Sequence, residues 1–163
     1  MIKVPLNKGM FALIDDEDWF KIWTFTWDFS TSGYAQTQRI KNKKKTAYFM
    51  HKLIMGNPSC KVDHIDHDKL NNQKFNLRLA TSTQNNANRL PNTCKLTKGV
   101  TWDKSRSKWQ AQIRVNGVQI YLGRYVDVND AMRAYDAAAS TYFGEFALTN
   151  KMLNLYVKEV VDV

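Results

Sequence analysis

The segment Trp109–Val115 alternates strictly between apolar and polar residues, and no other stretch restricts the possible folds as strongly. Side chains at every second position share one face of a strand. Asn116-Gly117 follows at once and is the strongest short signal for a two-residue hairpin turn. The returning segment, Val118–Gly123, places Gln119 and Tyr121 on the polar side. The sequence therefore predicts an antiparallel hairpin with one polar face and one apolar face.

A helix is predicted to follow this hairpin, with Asp127 as its N-terminal cap. Apolar residues then recur at three- and four-residue spacing, which forms one apolar stripe on a helix. The stripe consists of Ala131, Ala134, Tyr135, Ala138, Ala139 and Tyr142. It can cover the apolar face of the sheet, so this part of the chain is expected to form a sheet packed on one helix.

The chain is basic, with 24 Lys+Arg against 15 Asp+Glu and a formal charge of +9. Two local concentrations stand out, the run Lys41–Lys45 and the stretch from Lys95 to Tyr125. Both can face a polyanion, which the overall positive field would help to recruit. The alternative is a solvated loop and a solvated sheet face.

Membrane and disulfide-based classes are not favoured. No apolar run approaches the roughly 20 residues that a membrane helix needs, and Met1–Pro5 lacks the apolar stretch of a secretory signal. The two cysteines, Cys60 and Cys94, cannot form a disulfide framework or paired Cys-x-x-Cys knuckles. We therefore expect a cytoplasmic protein that folds by packing alone.

Short strands and one helix are predicted in the first fifty residues. The strands are Phe11–Ile14, Phe25–Phe29, Tyr34–Ile40 and Thr46–Met50, and the helix is Asp15–Trp23. Trp19, Trp23 and Trp27 are expected in the core, because burial of tryptophan is favoured over its stacking on a base.

The most informative stretch is Val62–Arg89. It holds an Asp-His pair, an Asn-rich turn, a strand at Asn76–Ala80 and a helix that opens with the capping-box spacing of Thr81 and Gln84. Pro91 stops that helix. The segment from Leu90 to Leu96 has no periodicity, so the boundary between a domain at 1–90 and a domain at 98–150 is predicted in a linker at 91–97, with a tail at 151–163.

Metal binding is one use of the acidic and histidine residues in this stretch. A calcium loop is excluded, because the required Gly and the Glu at the twelfth position are absent. Zinc held by Cys60, His64 and His67, with Cys94 or His51, is an alternative, but it leaves the many asparagines without a role. Each residue also has a plain interpretation, as a turn cap or as a buried, hydrogen-bonded histidine.

Asp63-His64, followed by Asn76-Leu77 and then by Asn85 in a capped helix, resembles the HNH nucleases, and among them the phage homing endonucleases. The site of that family is a ββα-metal finger. The resemblance implies that Asp63 and Asn85 hold the metal, Asn85 replacing the family's last His. It implies that His64 is the general base. Asn76 is counted with His64 among the catalytic residues, and its implied role is to tie the loop through main-chain hydrogen bonds. His67 is interpreted as a loop side chain and His51 as a packing residue.

Residue chemistry agrees with this resemblance. Carboxylate and amide oxygens suit a hard cation, so Mg²⁺ is expected, with Mn²⁺ as the alternative. His64 is next to Asp63 but on the other side of a strand, where neutral imidazole can deprotonate an attacking water.

The stretch Gly99–Asn150 resembles the Apetala, or ethylene-response-factor, type of DNA-binding domain. The matching motifs include Trp109–Arg114, Tyr121-Leu122-Gly123 and Ala131–Asp136. The family lays a three-stranded antiparallel sheet in the major groove with the helix behind it. The resemblance implies DNA contacts on the sheet by Thr101, Gln112, Arg114, Gln119 and Tyr121, and backbone contacts on the first hairpin by Trp102, Lys104, Arg106 and Lys108.

The sequence is thus interpreted as that of an α+β protein with an HNH nuclease domain followed by this sheet-and-helix module. It predicts a metal-dependent homing-type endonuclease for double-stranded DNA, phage- or mobile-element-encoded and acting in the bacterial cytoplasm. A monomer or weak dimer with one site per chain would nick one strand at a time. The alternatives are a DNA-binding regulator with an inactive nuclease fold and an RNA-directed or structure-specific nuclease. Residues 1–50 either complete the nuclease core or grip DNA through Lys41–Lys45.

Overall fold

The computed structural model describes residues 1–41, 44–91 and 97–156 of the chain. It is a mixed α/β structure with small antiparallel sheets, and it divides into two compact units between Ser82 and Thr83. Residues 83–90, which the sequence assigns to the nuclease domain, therefore belong to the second unit. The predicted linker at 91–97 lies mostly outside the described residues and stays a prediction.

The first unit contains three small sheets. Its elements in chain order are β1 (Ile2–Pro5), β2 (Phe11–Ile14), α1 (Trp19–Ile22), β3 (Asp28–Phe29), β4 (Ala35–Lys41), β5 (Lys44–Phe49), α2 (Met50–Ile54), β6 (Lys61–His64) and β7 (Leu77–Ala80). Single 3₁₀ turns lie at Asn7–Gly9, Asp16–Asp18 and Lys74–Asn76. β1 pairs with β2, β4 lies between β3 and β5, and β6 pairs with β7. The predicted strands are confirmed, except that Phe25–Phe29 is reduced to its last two residues.

Residues 1–50 complete the core of the first unit. The buried apolar cluster consists of Val4, Leu6, Ala12, Ile14, Ile22, Trp27, Ala35, Met50, Ile54, Val62 and Leu77. Only the last two belong to the β6–β7 hairpin, which therefore depends on the preceding elements for apolar burial. Asn42 and Lys43, in the middle of the lysine run, lie outside the described residues, so a DNA contact there stays a prediction.

The expectation that all three N-terminal tryptophans are buried is wrong for two of them. Trp27 is buried, and its indole N–H donates to the Ile22 carbonyl at 3.1 Å. Trp19 and Trp23 are 43% and 60% exposed. Helix α1 has only one turn, and Ile22 occupies its inner side. Trp19 and Trp23, four residues apart, share the outer side.

Strand β2 also fastens the loop between β6 and β7. The Leu13 N–H donates to the Leu70 carbonyl at 2.8 Å, and the Leu13 carbonyl accepts from the Asn72 N–H at 2.8 Å. Asp15, just after β2, accepts from the Gln73 side chain and the Lys74 N–H at 2.9 and 2.8 Å. These hydrogen bonds lower the pKa of Asp15. The N-terminal strands thus position the loop that follows β6.

The second unit begins within helix α3 (Ser82–Ala87), whose start is one residue after the predicted cap. It continues with β8 (Val100–Asp103), β9 (Lys108–Val115), β10 (Val118–Tyr125) and α4 (Val128–Phe143). The three strands form one antiparallel sheet with β9 in the middle. Asn116 and Gly117 both have positive φ, as a two-residue hairpin turn requires. The hairpin predicted from the alternating sequence is confirmed.

Helix α4 begins at the predicted cap, since the Asp127 carboxylate accepts from the N–H groups of Asn129 and Asp130. Its buried apolar residues are Ala131, Met132, Tyr135, Ala139 and Phe143. Tyr142, predicted in the inward stripe, is 49% exposed. The buried residues Ala131, Ala139 and Phe143 are separated by multiples of four, and each four-residue step turns the buried stripe around the helix axis by roughly 40°. At the end of the helix the stripe therefore includes Phe143 and leaves Tyr142 outside.

Gly99 shows why the entry to β8 requires glycine. Its φ is +72°, and a Cβ there would lie 1.8 Å from the Tyr135 ring of α4. Beyond α4, Asp136 accepts from both the main-chain and side-chain nitrogens of Asn150 at 2.8 Å. Asn150 in turn bonds the main chain of Lys98. The segment after the helix is thereby fixed to the start of the sheet.

Within the described ranges, no helix has the length and apolar character needed to cross a bilayer.

Candidate active site and nucleic-acid interface

Asp63 and His64 are the last two residues of β6, and both are buried, at 7% and 5% exposure. In the ladder they lie opposite Arg78 and Leu77 of β7. Neighbouring residues of a strand point to opposite faces, so the carboxylate and the imidazole lie on different sides of the hairpin. Each side chain therefore has its own surroundings.

The Asp63 carboxylate is held by a cation from the neighbouring strand. Arg78 Nε and Nη2 each lie 3.0 Å from Asp63 Oδ2. Both side chains are largely buried, so the pair is little screened by solvent. A negative charge at the end of β6 thus has a fixed positive partner.

His64 faces a polar residue and two rings. Its Nε2 lies 3.3 Å from Asn72 Oδ1. The rings of Tyr34 and His51 have their centroids 5.8 and 5.0 Å from that of His64. Burial lowers the pKa of His64, although the Asn72 contact and the nearby carboxylates, Asp66 first, act in the opposite direction. The imidazole is therefore neutral near pH 7.

His51 is a buried packing residue, as interpreted from the sequence, but one that touches the site. It is 6% exposed, and its ring stacks on Phe49 and lies near Tyr34. Its Nδ1 is buried without a hydrogen-bond partner among the described residues. Burial, and then the neighbouring His64 and Lys52, lower the pKa of His51 to about 3. His51 thus packs against His64 as an uncharged ring.

Asn76 ties together the loop between β6 and β7. Its Oδ1 accepts from the Asp66 N–H at 2.9 Å, and its Nδ2 donates to Asp66 Oδ1 and to the Asn71 carbonyl, each at 2.8 Å. Its own carbonyl accepts from the Ile65 N–H at 2.9 Å. At 2% exposure, Asn76 is in the interior of the loop. It supports the loop and stands away from the surface that a substrate could reach.

The zinc alternative gains no support. Cys60 is an exposed free thiol, and Cys94 lies outside the described residues. Among the residues that the structure does describe, no three or more His, Cys, Asp or Glu side chains gather as a metal site. His67 is half-buried with φ +68°, a left-handed conformation that glycine adopts with less strain.

Asn85 lies in the middle of α3 and is half-buried. The second unit holds both ends of this helix. Thr83 Oγ1 lies 3.2 Å from Asn116 Oδ1 in the hairpin turn, and Lys98 Nζ donates to the carbonyls of Ala87 and Arg89. Burial lowers the pKa of Lys98 to about 8. Asp63 belongs to the first unit, so the pairing of Asn85 with Asp63 stays a prediction.

The residues predicted to contact DNA lie mainly on one face of the β8–β10 sheet. Gln112 is opposite Tyr121, and Arg114 is opposite Gln119. Thr101 shares this face with them, since β8 is in register with β9. Lys104, Arg106 and Lys108 are exposed on the first hairpin. The face is thus polar, accessible and partly cationic.

Trp102 is placed differently from the other predicted contacts. It pairs with Trp109 across the β8–β9 ladder, and the two rings lie 5.1 Å apart, edge to face. Trp109 lies on the same face of β9 as Ala111 and Ile113, because the three residues are two positions apart and the last two are buried. Both tryptophans therefore lie on the side of the sheet that faces α4. Trp102 remains 45% exposed at the edge of that side. A role for it in DNA contact stays a prediction.

Arg124 belongs to the polar face but was missed by the sequence reasoning. The register of β10 shifts between Tyr121 and Gly123, which places Arg124 opposite Gln110. Its Nε donates to Asp103 Oδ2 at 3.0 Å, and its guanidinium lies 5.2 Å from the Tyr121 ring centre. Hydrogen bonds from Ser105 and then from Arg124 lower the pKa of Asp103 to about 2. The sequence signal for this register shift was Gly123, since glycine inside a strand often marks a bulge.

Comparison with known proteins shows the family of the chain. The family model described as HNH endonuclease matches residues 57–87. An uncharacterized HNH endonuclease of Acanthamoeba polyphaga mimivirus is 35% identical over 149 residues, which are 90% of this chain and 78% of the relative. The chain belongs to the HNH endonuclease family. The resemblance inferred from Asp63, His64, Asn76 and Asn85 is confirmed.

The C-terminal part has further relatives. Two AP2-like ethylene-responsive transcription factors of Arabidopsis thaliana are 39% and 43% identical over 62 and 63 residues, 38% of this chain in each case. The chain covers only 14% and 12% of their lengths. The resemblance to the Apetala type is confirmed for this part.

Proposed function

We propose that this protein is a divalent-metal-dependent endonuclease that hydrolyses phosphodiester bonds of double-stranded DNA. The observation that carries the proposal is the Asp63–His64 pair, buried at the end of β6 with its side chains on opposite faces, in the segment that matches the HNH family. A carboxylate on one side and a neutral imidazole on the other fit a metal ligand and a general base.

Asp63 and Asn85 are the proposed metal ligands, with Mg²⁺ or Mn²⁺ as the ion. Their oxygen donors are of the kind that hard divalent cations prefer. The hairpin β6–β7 followed by α3 has the element order of a ββα-metal finger, which α3 would complete. When bound, the ion would supply Lewis-acid stabilisation of the charge that develops on the scissile phosphate and the leaving 3′ oxygen.

His64 is the proposed general base. Because burial lowers its pKa, the ring is uncharged near pH 7 and carries a lone pair that can take the proton of an attacking water. Asn76 is proposed to act on the loop and not on reacting atoms. Arg78 is proposed to keep the Asp63 carboxylate in one orientation, since two of its guanidinium nitrogens, Nε and Nη2, approach the same oxygen.

The polar face of the β8–β10 sheet is proposed to hold the DNA. Arginine can bind guanine through two hydrogen bonds and glutamine can bind adenine, so Arg114, Gln112 and Gln119 offer base recognition. Lys104, Arg106 and Lys108 offer phosphate contacts, which orient a protein on the duplex. Each chain has one Asp63–His64 pair, so a monomer would nick one strand per event. Homing activity, phage origin and a cytoplasmic location stay predictions.

A regulator with an inactive nuclease fold is the second candidate. The matches of the C-terminal part to proteins named as transcription factors favour it. The mimivirus relative, similar over 90% of this chain and named as an endonuclease, favours the nuclease.

Cleavage assays separate these candidates. Supercoiled DNA, single-stranded DNA and RNA would each be incubated with the full chain in Mg²⁺, in Mn²⁺ and in EDTA. We expect metal-dependent nicking of the double-stranded substrate, and a loss of about 10²- to 10⁴-fold in His64→Ala, the usual contribution of a general base. His67→Gly is the matched control, because it removes a histidine of the same loop at a position with positive φ.

The outcome that would contradict the proposal is binding of DNA without cleavage in any metal, which would favour the regulator. Preferential cleavage of RNA or single strands would contradict the substrate assignment.

A further inference from the structure

We propose that Asn72 is a positioning residue that fixes the tautomer of His64, so that Nδ1 is the nitrogen that takes the proton from water. This inference rests on the proposed function of His64 as the base. Asn72 is fully buried, at 0% exposure, and its Oδ1 lies 3.3 Å from His64 Nε2. It was one of several loop asparagines in the sequence, with no signal that singled it out.

The orientation of the Asn72 amide follows from its second contact. Asn72 Nδ2 donates to the Leu70 carbonyl at 3.0 Å. The opposite orientation would set the amide oxygen against that carbonyl, two acceptors facing each other. The side-chain oxygen therefore faces His64. An amide oxygen only accepts hydrogen bonds, so Nε2 of His64 has to carry the hydrogen.

The tautomer then follows from imidazole chemistry. A neutral imidazole has one N–H, and the other nitrogen carries the lone pair. With the hydrogen on Nε2, the lone pair is on Nδ1. Base catalysis needs this lone pair directed at the water and not at the protein interior. The contact with Asn72 thus assigns the two nitrogens of His64 to two different tasks.

Asn72 is also fixed before any substrate arrives. Its N–H donates to the Leu13 carbonyl at 2.8 Å, and the Leu13 N–H donates to the same Leu70 carbonyl that Asn72 Nδ2 contacts. Strand β2 therefore holds both the main chain and, through Leu70, the amide of Asn72. An acceptor held in this way orients the imidazole without reorganisation during the reaction.

Nuclear magnetic resonance of the ring nitrogens tests this inference. The chain has three histidines, so the ¹⁵N-labelled full protein gives few ring signals, and His67→Gly and His51→Phe assign them. The sample contains neither metal nor DNA and is measured at pH 7.5. We expect His64 as a single tautomer protonated at Nε2. Asn72→Leu, which has similar volume and no acceptor, is expected to give a mixture of both tautomers.

Asn71→Leu is the matched control. Asn71 is the adjacent loop asparagine, and its amide bonds Asp66 and Gln73. This variant is expected to lose loop stability but to keep the single tautomer. In cleavage assays, Asn72→Leu is expected to lower kcat by about 10- to 100-fold with KM unchanged, as found for partners that orient metal-bound histidines.

Two results would overturn the inference. One is a wild-type His64 protonated at Nδ1 or present as both tautomers, which needs no variant. The other is a folded Asn72→Leu that keeps the single Nε2–H tautomer. Because the tautomer is measured without metal or substrate, a protein that shows it but never cuts DNA refutes the proposed function and leaves this inference standing.

Discussion

The end of β6 and the polar face of the β8–β10 sheet are both proposed to act on DNA, but they are built in opposite ways. Asp63, His64, Asn72 and Asn76 are all less than 10% exposed and bonded to defined partners. Arg114, Gln119 and Tyr121 are exposed, with partners on the same surface. Catalysis requires side chains held in fixed positions, whereas DNA binding tolerates side chains that can adjust. Substitutions in the loop should therefore cost more than substitutions on the face.

The largest effect is expected for Asn76→Ala. The Asn76 side chain makes three hydrogen bonds in the loop, two with Asp66 and one with the buried carbonyl of Asn71. A buried partner left without its hydrogen bond costs about 1–3 kcal/mol. Urea unfolding should show the lower stability, and cleavage should disappear with it. Asn86→Ala, on the exposed side of α3, is the control and should stay within about 0.5 kcal/mol of the wild type. Equal stability of the two variants would contradict the contrast between loop and surface.

A pH-dependent effect is expected from His51, which packs against Tyr34, Phe49 and His64. Its pKa is about 3 in the folded chain, below the ordinary value of 6.5. The unfolded chain therefore binds the proton first as the pH falls. The stability provided by neutral His51 is complete above pH 6.5 and is lost toward pH 3, by up to about 1.4 kcal/mol per pH unit.

Urea unfolding of the wild type and of His51→Phe at pH 7.5, 6.5, 5.5 and 4.5 measures this effect. Phe keeps a ring among the same neighbours but cannot be protonated, so its stability should fall less steeply below pH 6.5. Parallel curves for the two proteins would show that His51 is not the group responsible.

A smaller effect is expected for Arg124→Ala on the proposed DNA-binding face. If Arg124 contacts a base, the free energy of binding should weaken by about 1–3 kcal/mol. If it contacts a phosphate, the slope of the logarithm of the binding constant against the logarithm of the salt concentration should fall in magnitude by about one. Arg133→Ala is the control, since Arg133 is exposed on α4 and pairs with Asp130. Fluorescence anisotropy at several salt concentrations measures both. Equal binding by the two variants would remove Arg124 from the interface.

Local sequence signals predicted much of this structure. The alternation around Ile113, the Asn-Gly turn and the Asp127 cap act over a few residues, so the hairpin and α4 could be located without knowledge of the rest. These features depend on backbone periodicity and on caps, which the sequence displays directly. The Asp-His pair at the end of β6 was located in a different way, through its resemblance to the HNH nucleases.

Features that depend on tertiary packing were less accessible. The exposure of Trp19 and Trp23 results from the shortness of α1, which the sequence pattern overestimated. The place of Arg124 depends on a register shift in β10. The contact of Asn72 with His64 depends on β2, more than fifty residues away, which fixes the loop. Of these causes, only the register shift has a local sign in the sequence, which is Gly123 inside the strand.

The central claim is that the end of β6 cuts DNA while the β8–β10 face holds it. Single-turnover cleavage at saturating protein, with binding measured under the same conditions, tests it directly. We expect His64→Ala to bind like the wild type and to cut about 10²- to 10⁴-fold more slowly, whereas the double variant Arg114→Ala with Arg124→Ala binds weakly but cuts at the wild-type rate once saturated. Cleavage by His64→Ala at the wild-type rate, or a slower cut by the double variant with unchanged binding, would contradict this claim.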